Sequence, residues 1–249
     1  MEATRSYHEQ NKKLIGIQKA WYEQFQSIVE MCNDIDWNLV GEETAERIID
    51  IDGILRECEE DQWCLDFEII DAIEGREITQ ELISEYVSNN LDSYIEQITN
   101  DPIYELHATL IKETYEAFKG GYYKLCAMPL FAAFEHVLAT WADGNIKTDF
   151  VSVWEKPITY SVKAAIKSEQ YSKIEEEQFT KVFVLSIIRM LEKTFVQVPK
   201  KLCKVLNRNS IAHGFHDYDS INEINILKLF QLLKSTLIIR HFDSGMVKK

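Results

Sequence analysis

Apolar residues recur at three- and four-residue steps along most of this chain, and few turn formers interrupt them. Leu14, Ile17, Trp21, Phe25, Ile28, Val29 and Cys32 make one such stripe. Side chains at this spacing share one face of a helix with 3.6 residues per turn. The segments 42–55 and 79–87 read the same way. Nine glycines and four prolines in 249 residues are too few for a β-rich or loop-rich fold. The expectation is an all-α protein of helices on short connections, with enough apolar residues for a sizeable core.

Charge divides the chain unevenly. Residues 1–100 hold seven Lys/Arg against 24 Asp/Glu, a net of −17, whereas residues 101–249 carry a net of +3. Asn100-Asp101-Pro102 lies at the change, and proline suits the first turn of a new helix. Two units are therefore expected: an acidic helical N-terminal unit, 1–100, and a helical bundle, 101–249. Two readings of the acidic unit stand. It is a solvated helical surface, or it is a regulatory, sensing or partner-binding module. As a regulator it would cover the basic second unit until displaced.

Within the second unit a helix is expected from Ile103 to Phe118, with Leu106, Leu110, Ile111 and Tyr115 facing inward and Gly120-Gly121 ending it. A strongly apolar helix follows, 122–141, with Pro129 inside it and Glu135 and His136 as its polar exceptions. Glu135 either pairs with a cation or reaches a site. Residues 143–170 are the least regular, with a short helix near Val162–Ile166. Another helix spans 174–195, and one is expected to start at Pro199. Ser220 to Glu223 reads as a capping box before a last helix with Ile224, Leu227, Phe230, Leu233 and Leu237 inward. Breaks are expected at Asn33-Asp34 and Asn89-Asn90.

Five cysteines form no CxxC pair, and six histidines show no metal-ligand spacing, so neither a metal nor a cofactor is expected. The opening Met-Glu-Ala-Thr reads as no signal peptide, and no apolar run reaches about 20 residues. A cytoplasmic protein with reduced thiols and no membrane span is expected. Acidic neighbours argue against Cys58 or Cys64 as a nucleophile. His107 and His136 read as core histidines.

Chemistry concentrates in Arg208-Asn209-Ser210-Ile211-Ala212-His213-Gly214. From Lys193 to His216 there is no acidic residue, while Lys193, Lys200, Lys201, Lys204 and Arg208 fall in that span. Such a strip suits the phosphates of RNA, with Lys200, Lys201 and Lys204 as the binding residues. An imidazole exchanges its proton near neutral pH, and arginine offers a fork of donors matched to phosphate. Together His213 and Arg208 have what RNA cleavage by a ribose 2′-hydroxyl needs. On a straight helix the two lie about 140° apart, so a helix break or a second subunit must bring them together. His216 or a second copy's His213 would supply the acid for the leaving oxygen, and Tyr218 would line the site. The alternative is structural: cations gathered at a helix C-terminus, with Arg208 bonded to Glu135.

Arg208-Asn209 followed by His213-Gly214, before the last helix of a bundle, resembles the HEPN superfamily. Members carry an arginine, four to six residues, then a histidine, usually with a polar residue after the arginine, as Asn209 is here. Glu135 on its apolar helix is similar to the acidic residue of an early HEPN helix. The resemblance covers 101–249 in helix order and is specific only over the seven-residue stretch. It implies a metal-independent endoribonuclease with Arg208, His213 and Asn209 catalytic. It implies a homodimer with a composite cleft, in a bacterial toxin, abortive-infection or antiviral defence setting, where a protein partner or antitoxin would meet the acidic unit. Some members lack activity and only bind RNA, nucleotide or protein.

Overall fold

The computed structural model describes residues 37–73, 75–157, 181–242 and 244, with side chains from residue 46 onward. The chain divides into two compact units, Met1–Arg47 and Ile48–Lys249, and nearly every described side chain belongs to the second. The stripe Leu14–Cys32, the break at Asn33-Asp34 and the short helix near Val162–Ile166 lie outside the described residues.

The described chain is predominantly helical. Its elements are α1 (Trp37–Glu60), α2 (Phe67–Ile73), α3 (Gln80–Asn100), α4 (Ala108–Lys119), α5 (Tyr123–Ala142), α6 (Lys181–Thr194), α7 (Arg208–Ala212) and α8 (Glu223–Thr236), with short 3-10 turns between several of them. One small antiparallel hairpin, β1 (Ile146–Lys147) and β2 (Phe150–Val151), pairs Ile146 with Val151.

At the centre lies α5. Cys126, Ala127, Leu130, Phe131, Ala133, Phe134 and every residue from Val137 to Ala142 are buried on it. It packs against α4 and α8, and α8 packs against α3. Pro129 sits inside α5 and cannot bond the carbonyl of Leu125. Leu125 is 68% exposed, so water can satisfy that oxygen. By length and composition α5 resembles a membrane span, but 67% of its most apolar window is buried inside the protein. That burial marks it as a core helix.

The expected boundary at residue 100 falls inside the second unit. Leu55, Trp63, Val87, Leu91 and Ile98 belong to one core with Phe131, Phe183 and Phe230. Charge joins the halves as well. Arg189 on α6, 8% exposed, donates through Nε to both carboxylate oxygens of Glu59 at 3.0 and 2.7 Å, and pairs with Asp52 at 3.0 Å. Burial alone would push this guanidinium down; Glu59 and Asp52 hold it above its ordinary value. Lys193 meets Glu60 at 2.5 Å, and Lys234, also buried, meets Glu68 at 3.2 Å. Part of the acidic excess thus neutralises cations within the fold, because a buried cation needs a partner. Residues 48–100 are not a detachable cover.

Other boundaries differ for local reasons. Asn89-Asn90 does not break α3: Asn90 Nδ2 donates to Tyr86 O at 2.8 Å, and Leu91, Tyr94, Ile95 and Ile98 continue the buried stripe. The helix expected from Ile103 begins as a 3-10 turn over Pro102–His107. Its three-residue period shifts the phase, so Leu106 and Leu110 are exposed while Tyr104, Ile111 and Phe118 are buried. No helix starts at Pro199; the chain is irregular until Asn207. Asn222, not Ser220, caps α8, in a reciprocal pair with Asn225. Ser220 Oγ instead donates to Asp217 O and Lys204 O, and Ile224 is exposed.

Candidate functional site

Asn207 starts the site. Its backbone is extended, with φ −142°, and its side-chain oxygen accepts from the amides of Asn209 and Ser210 at 3.0 and 3.3 Å. Those are donors that a helix start leaves unpaired. Helix α7 runs only from Arg208 to Ala212. Its end is a Schellman motif: Phe215 N donates to Ser210 O and Gly214 N to Ile211 O, with Gly214 at φ +72°. Tyr218 Oη donates to Ile211 O at 2.8 Å and steadies the same end.

Arg208 therefore stands in the first turn of a very short helix. One terminal nitrogen, Nη2, donates to Glu135 Oε2 at 2.6 Å. The other, Nη1, donates to Asn209 Oδ1 at 3.3 Å. Its guanidinium carbon lies 5.7 Å from the centre of the Phe195 ring, within cation–π range. Asn209 is itself fixed, donating through Nδ2 to the carbonyls of Phe195 and Val196. The Arg208 and Glu135 side chains keep 27% and 25% of their surfaces exposed. An ion pair that wet contributes at most about 1 kcal/mol. Its main consequence is positional: the guanidinium is set at the surface beside α5.

His213 follows the last residue of α7 and is exposed. The helix does end between Arg208 and His213. The amide of His213 still bonds Asn209 O, so it keeps helical register and the angular offset of about 140° remains. Within one copy the arginine and histidine leave α7 in different directions.

His216 is in a different situation. It is 4% exposed, and both ring nitrogens are buried without a hydrogen-bond partner. Burial lowers its pKa, against the opposing charge of Asp217. The expectation that it could protonate a leaving group is corrected, since it does not reach the surface. Its backbone instead bridges Cys203.

The acid-free strip in sequence is not acid-free in space. Lys193 meets Glu60, Lys204 lies 3.9 Å from Asp217, and Arg208 meets Glu135. Lys200 and Lys201 are exposed with no ion-pair partner among the described residues. Val198, Leu202 and Val205 stand exposed among them.

Compared with protein-family models, curated proteins and solved structures, the chain matches none.

Among the described residues, the remaining histidines and cysteines named from the sequence are half-buried or buried. His107 and His136 meet edge to face at 4.9 Å, and burial pushes His107 down to about 4. Cys58, Cys64, Cys126 and Cys203 are free and buried. Burial first, and the nearby carboxylates second, push the Cys58 and Cys64 thiols up to about 12. No group of three metal-ligating side chains occurs among the described residues. A cavity of about 430 Å³, lined by Gly121, Tyr122, Tyr123, Lys124, Leu125 and Ile221, opens at the N-terminal end of α5. At 1.5 Å per residue, roughly 17 Å of helix separates it from Glu135. It is not part of the Arg–His site.

Sequence reasoning missed Asn207 and Phe195. Asn207 carried a signal, an N-cap residue type directly before a helix; Phe195 carried none.

Proposed function

We propose that this chain is a metal-independent endoribonuclease of HEPN type, acting as a homodimer. The observation that supports it best is a guanidinium that keeps 27% of its side-chain surface in water five residues before an exposed histidine at a helix end; its bond to Glu135 is equally what the structural alternative expects. His213 would take the proton of a ribose 2′-hydroxyl, and that oxygen would attack the adjacent phosphorus. Arg208 would stabilise the charge on the phosphorane through its exposed edge. The 5′-oxygen would leave with a proton, and a 2′,3′-cyclic phosphate would remain. Because His216 is buried and Arg208 and His213 diverge around α7, the proton donor is assigned to the His213 of a second copy. Lys200 and Lys201 would hold flanking phosphates.

The test is RNA cleavage in EDTA by the wild type, His213→Ala and Arg208→Ala, with the product ends identified. Cleavage to cyclic phosphate that vanishes in both variants supports the proposal. Equal background cleavage by all three rejects it.

One observation favours a second reading. Arg208 already has a carboxylate partner, so the site is also suited to binding RNA without turnover. Salt-sensitive RNA binding by a wild type that cuts nothing would select that reading.

A further inference from the structure

Four helices in the described chain end in the same hydrogen-bond pattern. Tyr122 N bonds Ala117 O, Asn145 N bonds Thr140 O, Phe215 N bonds Ser210 O, and Trp63 N bonds Cys58 O. In each, the preceding residue takes a left-handed backbone. Three times that residue is glycine: Gly121, Gly144 and Gly214, with φ of +77°, +77° and +72°. At the end of α1 it is Gln62, with φ +62°, the one positive-φ residue other than glycine among the described residues. Glycine is the usual occupant because a Cβ disfavours this conformation. A glutamine held there indicates a use for its side chain.

That side chain reaches a point 144 residues along the sequence. Gln62 Nε2 donates to Leu206 O at 2.8 Å, and Leu206 N donates to Gln62 Oε1 at 3.2 Å. The amide thus pairs both polar groups of one backbone residue, as a neighbouring strand would. Leu206 immediately precedes Asn207, the cap of α7, and Asn207 immediately precedes Arg208. The turn that presents Gln62 is anchored on the other side by Glu59 to Arg189 and Glu60 to Lys193. The segment between α6 and α7 is irregular, with no regular element to set the direction in which α7 starts.

We propose that Gln62 is a positioning residue for the Arg–His site: its side-chain amide clamps Leu206 and thereby sets the start of α7 and the placement of Arg208. Its effect on cleavage rests on the ribonuclease reading; the clamp itself does not. Gln62→Gly separates the two roles of the position. Glycine relieves the left-handed backbone at the end of α1 while removing both bonds to Leu206. Gln62→Asn is the second variant, since asparagine tolerates the same conformation but is one methylene too short.

The experiment uses the full chain. Thermal unfolding, amide hydrogen exchange and RNA cleavage are measured for the wild type, both variants and His213→Ala. The expected result is an unchanged or raised unfolding midpoint, faster exchange confined to Leu206 and α7, and a kcat lowered roughly 10- to 100-fold with KM within about twofold. Exchange and kcat equal to wild type in both variants would overturn the proposal. So would loss of the fold in both, which would make Gln62 a structural residue. If the wild type cuts no better than His213→Ala, the ribonuclease reading fails by itself. Exchange at α7 then decides the clamp alone, faster exchange supporting it and unchanged exchange rejecting it.

Discussion

Arg208 donates to Glu135 at 2.6 Å from the opposite side of the α5–α7 contact, and about a quarter of each side chain stays in water. An acid on a core helix is thus used to hold a cation at the surface. Glu135→Gln keeps the shape and removes the charge. Urea unfolding should change by no more than about 1 kcal/mol, as expected for so exposed a pair. RNA cleavage should fall roughly 10-fold, because an unfixed guanidinium stabilises the phosphorane less. Parallel urea titrations and initial rates check both parts.

Glu59 is the opposite case. Its partner Arg189 is buried, so Glu59→Ala leaves that charge with Asp52 alone. A loss of about 3 kcal/mol, the low end for a broken buried pair, is expected in urea unfolding. For the same reason a chain beginning at Pro102, which also lacks Leu55, Trp63 and Val87, should show no cooperative unfolding by circular dichroism.

Gly214 has φ +72°, and a Cβ built there meets nothing within 4 Å. Gly214→Ala therefore acts through the backbone alone. It should lower stability by about 1 kcal/mol. Cleavage should fall as well, since the turn that ends α7 sets where His213 sits. Denaturation and kinetics on the same preparation separate the two effects.

His107 is held neutral, with its pKa pushed down by burial and then by His136 to about 4. The unfolded chain binds a proton there near pH 6.5. Stability from this group is therefore complete above pH 6.5, falls as pH drops towards 4, and is flat below. The difference is on the order of 3 kcal/mol. Carboxylates titrate in part of the same window, so the comparison is differential. His107→Leu should flatten the fall in unfolding free energy between pH 7 and pH 4.5 relative to wild type.

Lys200 and Lys201 should act through phosphate charge. Replacing either with alanine should weaken RNA binding for all sequences alike and lower the slope of log affinity against log salt by about one. A salt titration by fluorescence anisotropy measures that slope.

Much of the fold was legible in the residues. The first half of α3, the apolar run of α5, Gly120-Gly121 between α4 and α5, and an Arg-to-His stretch before the last helix all rest on local spacing or composition, which a linear chain displays. Charge was misleading for the same reason. An acid-free run in sequence has Glu60, Glu135 and Asp217 beside it in space. A change in net charge at residue 100 marked no boundary, because Glu59, Glu60 and Glu68 neutralise cations from α6 and α8.

The sequence by itself determined the all-α class and the residue types of the Arg–His stretch, since periodicity and turn residues act over a few positions. Tertiary structure alone decided that Glu135 holds Arg208, that His216 is buried beyond use, and that Gln62 grips Leu206. Each of these depends on side chains far apart in the chain meeting across packed helices, and no local propensity encodes such a meeting.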